Sequence, residues 1–168
     1  MQHNFRILGI DPGLRHAGWG VLDSLGSRLR FVACGVVKPP QSGDLPSRLA
    51  ALAEGLEEVL AAYAPQAAAV EETVVNAGAR SALKLGQARG VCVLVPARAG
   101  LPVAEYTATR IKKSVVGTGR ADKTQVAAMV SRLLPGARLD SADAADALAI
   151  AICHASHAQT AVRMEAAS

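Results

Sequence analysis

The chain has 168 residues, enough for one domain with a sizeable core, and its 51% hydrophobic and 19% charged residues exclude a disordered or fibrous chain. Its net charge of +4 and pI near 9.3 fit a polyanionic partner such as nucleic acid. Cys34, Cys92 and Cys153 have no paired spacing and form no CxxC or Cys/His cluster, which argues against a disulfide scaffold or a zinc site and predicts reduced thiols.

Aromatic residues are scarce at 3%, so the core must be built from Ala, Val, Leu and Ile. "FRILGID" (Phe5 to Asp11) reads as a buried strand, which "PG" at 12 to 13 then turns. "AGWGVLDS" and "LRFVACGVVK" read as two more strands joined around Gly26, giving an antiparallel meander of three. After the loop "PPQSGDLP", Leu49, Leu52, Leu56 and Leu60 recur at helical spacing from Ser47 to Tyr63, and Pro65 ends that helix. "AAAVEE" is a short interior strand leading to Glu71. A second helix is predicted from about Ala79 to Val95, stopped by Pro96. "PVAEY" is a fifth strand and "ATRIKKSVV" a short helix. "GTGRAD" is a loop, Lys123 to Leu134 another helix, and "PGARLDS" leads into the last one.

Together these elements predict an α/β domain with a mixed five-stranded sheet, a meander followed by alternating strands and helices, and helices on both faces. No repeat or linker divides the chain, so residues 1–158 are expected to form one domain and 159–168 a frayed tail. No apolar run reaches membrane-spanning length and no signal-like segment opens the chain, so a cytoplasmic setting without membrane contact is expected.

The last helix begins "RLDSADAADALAIAICHA" and sets three carboxylates into an apolar, alanine-rich run. Asp140 or Ser141 can serve as its N-cap, and Asp143 in the first turn would favour the positive end of the helix dipole. That account fails for Asp146, since the dipole benefit fades beyond the first turn. Asp146 also projects from the same face as Asp143, among neighbours that are all apolar. Asp11 ends a core strand, where Asp is depleted, although it can also cap the turn that follows. Glu71 ends "AAAV" in the same way, and strand alternation alone leaves open whether Glu71 or Glu72 points inward.

Clustered, four such acids would repel one another and could not all ionise without a counter-charge. No Arg or Lys lies within these apolar segments. A hard divalent cation would serve, and an all-oxygen site favours Mg²⁺ or Mn²⁺ over zinc. Two such ions would offset four carboxylates, sit roughly 3.5–4 Å apart and flank a phosphoryl group undergoing hydrolysis.

The stretches "ILGIDPGLRHAGWGVL", "AVEETVVN", "SALKLGQARGV", "VVGTGRADKTQV" and "DAADALAIAICH", in this order, resemble the RuvC family of bacterial Holliday junction resolvases over nearly the whole chain. The resemblance implies an RNase H-like fold, a homodimer and Mg²⁺-dependent cleavage of four-way DNA junctions. It further implies paired symmetric nicks in DNA recombination and repair, in cooperation with the RuvA–RuvB branch-migration complex. Asp11, Glu71, Asp143 and Asp146 match the family's acidic metal ligands, which selects Glu71 over Glu72; some relatives carry His where this chain has Asp143. Some members also carry an aromatic residue three positions after the catalytic Glu, where this chain has Val74, with Val75 and Asn76 as neighbours.

Basic residues concentrate at Arg110, Lys112, Lys113, Arg120 and Lys123, and read either as solvated surface or as a phosphate-binding rim beside the acids. The resemblance places Lys112 and Lys123 near the scissile strand. Arg80, Lys84 and Arg89 on the second helix are candidates for a further part of the rim. The same helix carries Ala79, Ala82, Gly86 and Gly90, a row of small residues that permits close packing, on a sheet or on a second copy. His16, His154 and His157 have no acidic or cysteine partner at ligand spacing and are given no catalytic role. The competing functions are a non-catalytic four-way-junction binding module, an RNase H-like nuclease with another substrate, and an actin-like phosphotransferase, which would need two related domains.

Overall fold

The computed structural model describes residues 4–72 and 78–166, with side chains as far as residue 158. Three strands open the chain, β1 (Phe5–Asp11), β2 (Ala17–Leu25) and β3 (Arg28–Val37), each antiparallel to the next. Helix α1 (Leu45–Tyr63) leads to β4 (Ala67–Glu72), and α2 (Ala79–Arg98) leads to β5 (Val103–Thr107). Both later strands add in parallel, giving the sheet order β3-β2-β1-β4-β5. Helices α3 (Ala108–Val116), α4 (Lys123–Leu133) and α5 (Ala142–Ala166) follow. Among the described residues, no helix is long and apolar enough to cross a membrane.

Alternation along the central strands separates two cores. Leu8, Ile10, Val21, Ala68 and Val70 pack with Leu52 and Leu56 of α1 and Ala88 and Cys92 of α2. Ile7, Leu22 and Ala69 pack on the other face with α3, α4 and the Leu148, Ile150 and Ile152 side chains of α5. This is the predicted mixed sheet, with helices on both faces. Helix α5 lies against the backbone of the sheet itself. A Cβ at Gly9 would collide with the carbonyl oxygen of Ala147, and one at Gly18 with that of Asp143. Small residues on the sheet therefore set how closely the acidic helix approaches.

Two helix boundaries differ from the sequence expectation. Helix α1 starts at Leu45, before Ser47, because the Asp44 side chain caps it by accepting from the Ser47 N–H at 2.7 Å, while Pro46 needs no donor in the first turn. Helix α2 does not stop at Pro96 but runs through it to Arg98. Pro96 sits in the last turn, where the helix gives up the single bond its N–H would have made to the carbonyl four residues back, and its own carbonyl accepts from the Leu101 N–H at 3.1 Å.

Candidate active site

Strands β1 and β4 are adjacent and parallel, with Ile10 opposite Val70, so Asp11 and Glu71 end neighbouring strands on the same edge of the sheet. Alternation from Ala69 turns Glu71 toward the face covered by α5 and leaves Glu72 exposed. Asp11 follows Ile7 and Gly9 onto that same face. Ser141 caps α5, its Oγ accepting from the Ala144 N–H at 3.1 Å, which places Asp143 in the first turn and Asp146 in the next. Asp11, Glu71 and Asp146 line one cavity of about 210 Å³ together with Lys112 and Lys123. Ala108 and Lys123, the first residues of α3 and α4, also border it, so the positive ends of two helix dipoles edge the cavity. Asp143 lines the adjoining groove instead, yet its charge acts on both Asp11 and Lys123.

The electrostatics record the crowding. Burial, then the charges of Glu71, Asp146 and Asp143, push Asp11 up to about 7, with Lys123 opposing. Glu71 is likewise raised by burial and by Asp146, against Lys123 and Lys112. Lys123 Nζ lies 3.2 Å from Asp146 Oδ2, and that carboxylate holds the ammonium above its ordinary value. No Arg or Lys lies within the apolar segments themselves, and the counter-charge reaches in from a different element: Lys123 is the first residue of α4. Its compensation is partial, because its side chain remains 80% exposed and Asp11 stays raised.

The donor set fits a hard cation: carboxylate oxygens only, with more negative charge than one lysine offsets. Among the described residues, no three acid, histidine or cysteine side chains stand close enough to form a ready-made coordination shell. Asp11, Glu71 and Asp146, with Asp143 beside them, are the residues that would hold a metal.

The basic residues divide among several places. Lys112 and Lys123 enter the cavity, and Lys84 lines the groove beside Asp143. Arg110 and Lys113 lie on another face of α3, along a second groove shared with His157. There Arg110 Nε donates to His157 Nε2 at 3.2 Å and its guanidinium sits 5.7 Å from the centre of the Tyr106 ring. Arg80 and Arg120 are exposed, and neither borders the cavity. Arg89 is committed to the fold: it pairs with Glu105, and its Nε donates to the Glu71 carbonyl oxygen at 3.3 Å, bracing the end of β4. Arg15 and His16, not singled out as site residues by the sequence, line the groove beside Asp143. Their position directly after the Asp11-Pro12-Gly13 turn was the available signal. Val74, Val75 and Asn76 lie outside the described residues.

Residues 7–154 match the family model described as crossover junction endodeoxyribonuclease RuvC. Two similar relatives carry the same description. That of Paramagnetospirillum magneticum is 60% identical over 155 residues, covering 92% of this chain and 93% of the relative. That of Xanthobacter autotrophicus is 57% identical, covering 96% of each. Among solved structures, T. thermophilus RuvC in complex with Holliday junction substrate superposes with a TM-score of 0.87 at 34% identity, covering 94% of this chain and 96% of that one.

Proposed function

The chain belongs to the family of the crossover junction endodeoxyribonuclease RuvC, and on that premise we propose that its carboxylate cavity is the nuclease centre. It is an endonuclease that resolves Holliday junctions, built on an RNase H-like α/β fold. The observation that supports placing the chemistry here is the meeting of Asp11, Glu71 and Asp146 with Lys112 and Lys123 in one cavity. Asp143 completes the acidic set from the adjoining groove.

Asp11, Glu71, Asp143 and Asp146 are the residues that would hold divalent cations, Mg²⁺ or Mn²⁺, with charge enough for two per site. Such ions, when bound, polarise the phosphodiester and favour attack by water. The chain's own residues do the rest. The four acids fix the negative pole of the site and keep competing anions out. Lys112 and Lys123, which line the same cavity, stabilise the charge that grows on the phosphate oxygens as the bond breaks. The N-termini of α3 and α4 add partial positive charge on the same side. Arg80, Lys84, Arg110, Lys113 and Arg120 form the outer rim that holds the DNA backbone.

The enzyme acts as a homodimer in the cytoplasm and cooperates with the RuvA–RuvB complex. The dimer is supported by α2, where exposed Leu83 and Leu94 flank Gly86 and Gly90, whose missing side chains would meet open space. The cytoplasmic setting and the RuvA–RuvB partnership rest on the sequence resemblance.

Incubation with a synthetic four-way junction and Mg²⁺ tests the centre. Symmetric paired nicks that stop in EDTA are expected, and binding without cutting would overturn the catalytic assignment. Glu71→Gln and Asp146→Asn should keep junction binding while losing cutting by about 1000-fold or more. Lys123→Ala should lower cutting by about a hundredfold with little change in melting temperature, given its exposure. Equal losses of cutting and stability would remove Lys123 from the chemistry.

A further inference from the structure

We infer that the groove on the Asp143 side of the cavity, bordered by Arg15, His16 and Lys84, is a second phosphate site that holds the scissile strand beside the point of cleavage. The inference rests on the nuclease reading above and extends it to Arg15 and His16, which that reading leaves without a task, joining them to Lys84 of the rim in one groove.

The groove encloses about 590 Å³ and is lined by Asp143, which packs over Gly18, the strand partner of Asp11, so the groove lies beside the cavity. Asp143 lines the groove, but its charge is felt by Asp11 and Lys123 on the cavity side. One carboxylate therefore forms the divide, and three permanent cations, Arg15, Arg48 and Lys84, outweigh it within the groove.

The turn carrying Arg15 and His16 is held from several directions. A Cβ at Gly13 would collide with the His16 carbonyl oxygen, so the turn closes on itself at a position only glycine fits. Leu14 is 8% exposed and packs in the core shared with α1 and α2. Arg48 donates to the Leu14 carbonyl oxygen at 3.3 Å and to that of Pro40 at 2.7 Å, tying the turn to the loop before α1. Arg48 is thus spent on structure.

Arg15, His16 and Lys84 are not. All three are exposed, and among the described residues none of them makes a hydrogen bond or ion pair. Arg6, Arg30 and Arg89, by contrast, are each paired with a carboxylate. An uncommitted guanidinium and an uncommitted imidazole on a braced turn, in one groove with uncommitted Lys84, suit an anion that arrives from outside. A DNA strand carries a charge about every 3.4 Å along its axis, so a strand seated at the cavity presents its next phosphates to the flanking surface. Contacts there fix the register of the strand over the acids without reading its sequence.

The test is the salt dependence of binding to a synthetic four-way junction in EDTA. Each lost phosphate contact should flatten the slope of log affinity against log salt by about 0.9, so Arg15→Gln with Lys84→Gln should flatten it by about 2 and weaken binding about tenfold. Arg15→Lys alone, with Lys84 in place, should keep the wild-type slope. Exposure of both side chains predicts an unchanged melting temperature; should the double variant melt early, Arg15→Gln alone decides by the same slope. A wild-type slope and affinity in the variant, while the wild-type protein cuts the junction, exclude the groove and leave the nuclease reading standing. Failure of the wild-type protein to cut removes both.

Discussion

With three other carboxylates acting on it and most of its surface out of water, Asp11 has its pKa pushed up to about 7, by burial first and then by Glu71, Asp146 and Asp143. A carboxyl raised in this way binds its proton more tightly folded than unfolded. Its contribution to stability is therefore present at acid pH and lost as pH rises from about 4 through 7. In metal-free buffer, Asp11→Asn should then be more stable than the natural protein at pH 8, by about 1–3 kcal/mol, with the gap closing toward pH 4. The same variant should cut nothing. Melting curves across pH check this, and a gap independent of pH would show that the acids do not strain one another. Asp23 has the opposite sign. Fully buried, it accepts from Arg6 Nε at 2.7 Å and pairs with Arg30; the Arg6 hydrogen bond is the largest cause of a pKa lowered to about 2. Its stabilisation is full above about 4 and is lost as pH falls through 2. Asp23→Asn should accordingly destabilise by about 1–2 kcal/mol at pH 7 and by almost nothing near pH 2, leaving cutting at neutral pH intact.

Helix α5 brings Asp143 and Asp146 to the sheet, and its seat is set by the sheet's lack of side chains beneath it. Gly18→Ala would put a methyl group into the Asp143 carbonyl oxygen, which only a shift of the first turn of α5 relieves. The expected result is a loss of about 2–4 kcal/mol in stability and a fall in cutting, although no acid is altered. Unchanged cutting at full folding would mean that the acids tolerate a displaced helix. Most of this architecture was legible in the chain. Short apolar runs bounded by turn residues marked the strands, leucine spacing marked α1, and acids ending apolar runs marked the carboxyl ends where β1 and β4 finish. What escaped was non-local. Glu71 differs from Glu72 only by which face α5 covers, which the strand itself does not encode. Lys123 was legible as a basic residue but not as the partner of Asp146, because α4 is folded back over the sheet by contacts far along the chain. Arg89 looked like part of a DNA rim and instead braces β4 through Glu105 and the Glu71 carbonyl. Pro96 looked like a stop, and a last-turn position absorbed it.

For the molecule as a whole, the paired symmetric cuts proposed above call for more than one copy. A four-way junction has two-fold symmetry, and two equivalent cuts need two equivalent centres in a fixed relation. Helix α2 offers a seam for that pairing. Leu83 is 65% exposed and Leu94 53%, three turns apart, and Gly86 and Gly90 between them leave space where side chains would otherwise stand. Large apolar side chains beside vacant backbone form ridges and a groove into which a second helix of the same kind can fit. The other face of α2 is already used, with Ala88, Cys92 and Val95 buried against the sheet, so the seam is free to face a partner. Leu83→Glu combined with Leu94→Glu should therefore leave folding and metal requirements intact while shifting the protein to a monomer by sedimentation. Each monomer keeps its own Asp11, Glu71, Asp143 and Asp146, so single nicks should persist at reduced efficiency, and simultaneous paired nicks should disappear. A natural protein that sediments as a monomer on the junction and still makes paired nicks would place the seam, and the symmetry argument with it, in error.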